Sequence, residues 1–506
     1  MVQNGAAAQP VAPTVEFSAK LDPGGVDYAF LSVDLASATG DLFAVTSGKS
    51  PLLLVAAAFD VYGVGQSFPL ASGGNTITVT LSASVDFPAT STITLAGLTG
   101  SVTANDPALV LGGGASASFG NAGDWTLTGG TLVLTVAAGG GLSAGTDYTV
   151  SFSLENGVSA QGAQTVSLSG SVDSGGDDDS PTAAIDMDPD VGSLLGVQKG
   201  RSAMLLVTPG FYASGVGQTF PLVSASNTIT ATLAGSVDFP ENSTITLTGL
   251  TGTQTGDSSL LAVTSFPSNV FEGDAGEWNT TEGTLRLTLA AGGMQTGTEY
   301  TVTFAVQNGG DAQPGAIVAV SATLETGLAI DGPVAAFNLT ADLGGLLSVP
   351  NGASPLLMVV PVFDVKDIGQ SFPLVSASNV ISVTLSGSVD FPGGSSITLT
   401  GLSGTQTADD VALDLGGNGS DSFGDAGPWT MAGGTLVLMV EAEGLSAGTN
   451  YTVSILVRNG AAAQGAVTVA VSGVVDSGEA DDSPLFSVDM TSDAEDVGPE
   501  TLNLKR

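Results

Sequence analysis

Asn75-Thr76-Ile77-Thr78-Val79-Thr80-Leu81 alternates apolar and hydroxyl side chains residue by residue. A period of two puts Ile77, Val79 and Leu81 on one face of an extended chain and the three threonines on the other, the pattern of a half-buried β-strand. The alternation continues outward. Ile93 and Leu95 carry it up to the break at Gly97-Leu98-Thr99-Gly100, and Leu132, Leu134 and Val136 resume it after Gly129-Gly130. Tyr148, Val150, Phe152 and Leu154 form the next run, and Val166 and Leu168 the last. The run from Leu52 to Val61 is nearly all apolar and reads as a strand buried on both faces. No window holds a 3.6-residue stripe of helical length. About eight strands punctuated by Gly, Asn, Asp and Pro predict an all-β sandwich.

The block recurs. Gly65-Gln66-Ser67-Phe68-Pro69-Leu70 returns at Gly217 and again at Gly369, 152 residues apart each time, as Gly-Gln-Thr-Phe-Pro-Leu and Gly-Gln-Ser-Phe-Pro-Leu. Asn75 has counterparts at Asn227 and Asn379, Trp125 at Trp278 and Trp429, Tyr148 at Tyr300 and Tyr451, and Asn156-Gly157 at Asn308-Gly309 and Asn459-Gly460. A period this long fits tandem domains rather than the 20- to 30-residue rungs of a solenoid. The expected organisation is the tail of a preceding repeat and a linker over 1–26, then sandwich repeats over 27–178, 179–331 and 332–483. Residues 484–506 read as the start of a further repeat, disordered or incomplete. Asn4-Gly-Ala-Ala-Ala-Gln9 matches Asn459-Gly-Ala-Ala-Ala-Gln464, so a longer array is expected. Three such sandwiches end to end would make an elongated array of roughly 100 Å or more, and repetition adds reach without adding chemistry.

Composition narrows the chemistry. The net charge of -40 arises from only 9 Lys plus Arg against 49 Asp plus Glu. Basic-residue depletion disfavours nucleic acid, whose binding uses Lys and Arg on phosphates, and anionic membranes. With no Cys and no His, disulfides, Cys or Cys/His zinc sites, Ser-His-Asp triads and Cys nucleophiles are excluded. The longest strongly apolar run, Leu52 to Phe59, is far short of a membrane span, so no direct membrane insertion is expected from this segment. The first residues lack the basic and apolar regions of a secretion signal.

Together the Gly-Gln-Ser-Phe-Pro-Leu and Asn-Thr-Ile-Thr-Val-Thr-Leu blocks, repeated across the chain, resemble tandem immunoglobulin-like or fibronectin-III-like repeats of surface proteins. The Cys…Trp…Cys spacing of true immunoglobulin domains is missing. The resemblance implies three Ig-like β-sandwich domains and an extracellular or cell-surface location. The partners expected are other copies of the array, or surface glycans and proteins.

Candidate sites are few. Asp173-Ser-Gly-Gly-Asp177-Asp178-Asp179-Ser-Pro181 follows the first repeat and Asp476-Ser-Gly-Glu479-Ala-Asp481-Asp482-Ser-Pro484 the third. Clustered carboxylates with flexible Gly suggest Ca2+ held at the joints by Asp173, Asp177, Asp178, Asp179, Asp476, Asp481 and Asp482, since hard cations take six to eight oxygens. A solvated linker explains the same residues, neither segment has EF-hand spacing, and the joint at Glu325 lacks the cluster. The threonine rows resemble ice-binding hydroxyl arrays but are one strand long per repeat. Trp125, Trp278 and Trp429 serve either as core or as a sugar-stacking platform, depending on exposure. Asp60 and Asp86 are the carboxylates weighed for glycoside hydrolysis, though Tyr212 replaces Asp60 in the second repeat. Sequons stand at Asn242, Asn279, Asn338, Asn418 and Asn450. The function expected is a non-enzymatic structural or adhesive spacer array. The alternatives are a calcium- or carbohydrate-binding module and, more remotely, a glycoside hydrolase.

Overall fold

The computed structural model describes residues 4–21, 28–29 and 32–492; the expected opening of a further repeat lies outside the described residues from 493 onward. The chain forms two compact units, one of residues up to 210 with 235–243 and 323–334, the other of 211–234, 244–322 and the residues from 335 on. Among the described residues the regular structure is β throughout, apart from single 3-10 turns.

In the first repeat the principal strands are β1 Phe59–Gln66, β2 Gly74–Ala83, β3 Thr92–Ala96, β4 Asp106–Gly112, β5 Ala122–Thr126, β6 Thr131–Thr135, β7 Tyr148–Glu155 and β8 Ser167–Val172. Their hydrogen-bonded order is β8-β3-β6-β5-β4-β7-β2-β1. The path folds into two layers at β4. Asp106 to Val110 pair with β5, whereas Leu111 and Gly112 pair with β7. A register shift opposite Gly123 marks the corner, the usual device by which one strand serves two sheets. The same order recurs in the second and third repeats, so the chain is an all-β protein of three tandem β-sandwiches.

β2 carries the alternation that the sequence predicts: Ile77, Val79 and Leu81 are fully buried and Thr78 is exposed. One cluster joins these residues to Trp125, Leu132, Leu134, Val150 and Phe152 from both layers. Each such side chain contributes roughly 1.5–3 kcal/mol by leaving water. The threonines of β2 face across to β7, with Thr80 and Thr149 hydroxyls 3.1 Å apart, an ordinary cross-strand pair. Tyr148 opens β7 and its hydroxyl accepts the Ser143 N–H at 2.8 Å. Tyr300 and Tyr451 do the same for Gln295 and Ser446. This is a tyrosine corner of the kind that immunoglobulin-like sandwiches use.

Two readings are changed. Leu52 to Ala58 is not strand; β1 begins at Phe59, and the apolar run before it serves another purpose described below. The boundaries at 178, 331 and 483 mark sequence identity rather than hydrogen bonding. Ser180–Pro181 and Ile185–Asp186 pair with β8, and Asp188–Pro189 lies parallel to β1. Likewise Ser483–Asp489 pairs with Ala470–Val475, and Thr491–Ser492 lies parallel to Phe363–Gln370, so residues 484–492 complete the third sandwich.

Candidate functional site: a socket for the following segment

The most elaborate polar arrangement in each repeat is built on three amides. Asn75 on β2 shares the inward face of Ile77 and Val79, and it is buried, as is Gln66 at the end of β1. A buried amide must find partners for both its oxygen and its nitrogen. Asn75 Oδ1 accepts from Ser67 and Phe68 N–H, and Asn75 Nδ2 donates to Gln66 Oε1 at 2.9 Å and Asn156 Oδ1 at 3.0 Å. Asn156 Nδ2 in turn donates to the carbonyls of Phe68 and Leu70. The ladder shapes the loop after β1 so that Phe68, Pro69 and Leu70 line an apolar rim.

Into this socket goes the segment that follows the repeat, 190–207, here called a clasp. Gln66 Nε2 donates to Gly200 O at 2.9 Å and Leu205 O at 2.8 Å, and Gln66 Oε1 accepts the Met204 N–H at 2.9 Å. Its backbone N–H donates to Arg201 O, the Ala71 N–H donates to Val207 O while the Val207 N–H donates to Pro69 O across the rim, and Gln161 pairs both ways with Leu206. Met204, Leu206, Phe68 and Leu70 are all buried. Gln161 also donates from Nε2 to Thr99 O and Met204 O. Its path crosses Gly100, at φ +93°, where a β-carbon would stand 2.1 Å from the amide; a side chain at 100 is excluded by both conformation and space.

The second socket repeats the first in detail. Gln218 Nε2 donates to Gly352 O (2.8 Å) and Leu357 O (2.9 Å), and Gln218 Oε1 accepts from Leu356 N–H and Asn227 Nδ2, both at 2.8 Å. The clasp 342–359 is at the same time tied to the third repeat: Leu347 O accepts from Asp390 N–H at 3.1 Å and Ser348 Oγ donates to Asp390 Oδ1 at 2.8 Å. Phe220 and Leu222 of the second repeat accordingly share one apolar cluster with Val349, Phe363 and the third repeat's core.

The sequence marks Gln66, Asn75 and Asn156 as repeat signatures but assigns them no role. The signal was present: Asn75 is the one polar side chain on the apolar parity of its strand. The apolar run Leu52 to Ala58 belongs here too, since its counterparts Met204 to Val207 are clasp.

The predicted site residues fall elsewhere. Asp177, Asp178 and Asp179 are exposed, and among the described residues no three carboxylates gather as a metal would need. Asp173 Oδ1 accepts from Gly175 N–H at 2.6 Å, its other oxygen meets Thr90 Oγ1, and Asp179 accepts from Ser174 N–H. Asp476 and Asp482 repeat this with Gly478 and Ser477. Glu325 caps Gly327 in the joint without the cluster. Asp481 is used through its backbone: its carbonyl accepts from Ser226 N–H at 2.7 Å, laying the joint over the second socket. The three indoles are buried, each donating to a backbone carbonyl, of Thr103, Thr255 or Thr407, and offer no stacking platform. Asp60 is exposed, and Asp86 holds the Ala144 N–H at 2.8 Å. A shallow polar cleft of about 500 Å³ lies in the second repeat among Asp257, Glu277, Glu282 and Arg286.

Fold and socket define the class: an all-β tandem-repeat protein in which the segment that follows a repeat docks back onto it. No protein-family model matches the chain, and no curated protein sequence does. Among solved structures it is similar to the C-terminal domain of the antigen I/II polypeptide BspA of Streptococcus agalactiae, at 9% identity and TM-score 0.29, over 55% of this chain and 100% of that one. It is also similar to the full-length major pilin SpaD of Corynebacterium diphtheriae, at 10% identity and TM-score 0.22, over 76% and 82%. Likenesses this distant carry no argument about function.

Proposed function

We propose that this chain is a non-enzymatic structural array of an extracellular or cell-surface protein, a spacer in which a docked clasp locks the second repeat to the third. Gln218 carries the reading. All four hydrogen-bonding positions of its side-chain amide are used, and three of them reach the clasp that leads into the third repeat. A flexible bead-on-string linker has no need of a buried, fully satisfied amide; a joint that must not hinge does, because satisfied buried networks fix geometry. The absence of His and Cys, and carboxylates occupied with turn amides, support a role without catalysis. Adhesive contacts to surface proteins or glycans would then fall to loops and edges.

Force spectroscopy on the whole chain tests this. The second and third repeats are expected to resist as one step, and Gln218→Ala to split that step in two. Independent unfolding of the two repeats in the unaltered chain would reject the locked joint.

A further inference from the structure

The first and second sockets are each covered a second time, by a segment from further along the chain. The Gly74 N–H donates to Ile330 O at 2.9 Å and the Ser226 N–H to Asp481 O at 2.7 Å. Gly74 and Ser226 hold the same place in their repeats, one residue before Asn75 and Asn227. Ile330 and Asp481 hold the same place in their joints, following Glu325 and Asp476. In both joints a hydroxyl steadies the accepting carbonyl: Thr326 Oγ1 and Ser477 Oγ each donate to it at 2.9 Å. The joint that leaves one repeat is therefore a lid on the socket of the repeat before it.

The side chains of the two lids differ, and they differ in step with their sockets. Gly73 and Gly74 of the first socket meet the lid Leu328-Ala329-Ile330 with Gly332. A β-carbon at 74 would stand 3.0 Å from Leu328 Cβ and 3.1 Å from Ile330 O, and one at 332 would stand 3.0 Å from the Phe68 ring. Carbon contacts are comfortable only at about 3.5–4.0 Å. In the second socket Ala225 and Ser226 replace the glycines, Ser483 replaces Gly332, and Glu479-Ala480-Asp481 replaces the apolar lid. There Ser226 Oγ accepts the Asp481 N–H at 3.1 Å and donates to Asp481 Oδ2 at 3.4 Å. A serine at 74 would press into Leu328, whereas a glycine at 226 would deprive Asp481 of its hydroxyl partner.

We infer that the residue at 74 and 226 selects the joint that closes over its socket, Gly taking an apolar joint and Ser an acidic one. The inference rests on the socket reading given under the proposed function. Discrimination of this kind needs a clash in one direction and a lost bond in the other, and the two sockets supply one each. The order of repeats is then written into their contacts, and Asp481 has a side-chain role that is independent of any ion.

Hydrogen exchange on the full chain, resolved to single amides, tests the selector. Gly74→Ser is expected to speed exchange of the amide at 74 about tenfold or more, with the core amides of Val79 and Val150 unmoved. Leu328→Glu with Ile330→Asp, which gives the second joint the third joint's side chains, should open the same lid. All three substitutions together should return the amide at 74 to within about threefold of the unaltered chain, because the new serine then meets the carboxylate it suits. Ser226→Ala should speed the Asp481 amide roughly fivefold. An amide at 74 indifferent to Gly74→Ser, or no recovery in the combined variant, would overturn the selector. If Gly74→Ser also frees the core amides, Ser226→Ala decides, and an unchanged Asp481 amide overturns it. The Leu356 N–H, held by Gln218, reports the clasp separately. Fast exchange there in the unaltered chain would reject the locked joint itself, whereas slow exchange there with indifferent lid amides rejects the selector alone.

Discussion

The sockets of the second and third repeats are near copies in sequence and in their internal bonds, yet among the described residues one is sealed and the other bare. The Asn227 amide reaches Gln218 and Asn308 at 2.8 and 2.9 Å; Asn379 reaches Gln370 and Asn459 at 2.8 and 3.0 Å. The sandwich therefore builds the ladder unaided, and the clasp, with the joint laid over the socket, supplies the burial. Identical residues should then carry very different energies, since a lost hydrogen bond or methyl costs most where water cannot take its place.

The largest contrast is expected at the glutamine. Gln218→Ala strands the Leu356 N–H, the Asn227 amide and two carbonyls in a dry site, for a loss of about 3–5 kcal/mol. Gln370→Ala leaves solvated partners and should cost about 1 kcal/mol or less. Urea unfolding of the two variants measures the difference directly, and equal losses would show that the clasp does not seal the socket. Next comes the rim. Leu222→Ala opens a cavity in a cluster shared by two repeats and should cost about 3 kcal/mol. Leu374→Ala removes an exposed side chain and should stay within about 0.5 kcal/mol.

Much of this could be read in advance from strand parity. Ile77, Val79, Leu81 and their repeats disclosed the sandwich because a half-exposed strand writes its own orientation into the sequence. The indoles and Tyr148 were legible as one set per core. The clasp was not, because its apolar residues are buried by a different repeat from the one they introduce. A run such as Leu52 to Ala58 then looks like a strand buried on both faces, although Leu52 itself is left-handed at φ 59°. Asn75 and Gln66 were visible only as markers of periodicity; their meaning lies in a carbonyl 134 residues away, which no local pattern encodes. The acidic joints drew attention by charge, whereas their contribution comes from caps and a backbone carbonyl.

The clasps themselves invert sign between a docked and a bare copy. Leu356, at φ 53° and fully buried, should lose about 2 kcal/mol on change to Gly, the lost burial outweighing the relieved strain. Leu52, at φ 59° and half exposed, has little burial to lose, so Leu52→Gly should gain about 1 kcal/mol. Hydrogen exchange of the amides around Gly48 and Gly352 resolves the two locally. A stabilising effect at both positions would mean that the docked leucine is not anchored by its socket.

The smallest effects are expected at the joints, and there the comparison is between a turn and an ion site. Asp173 and Asp476 each cap a glycine amide two residues ahead, and Glu325 does so in the joint that has no acidic cluster. If the cap is what matters, Asp173→Ala and Asp476→Ala should each cost about 0.5–1 kcal/mol, the same in calcium as in chelator. If Asp173, Asp177, Asp178 and Asp179, or Asp476, Asp481 and Asp482, instead gather around calcium, the ion should release heat on calorimetric titration and raise the unfolding midpoint, and both effects should vanish with the substitution. The shared cap in all three joints favours the first outcome, because a device that works with a single Glu does not depend on the number of carboxylates around it.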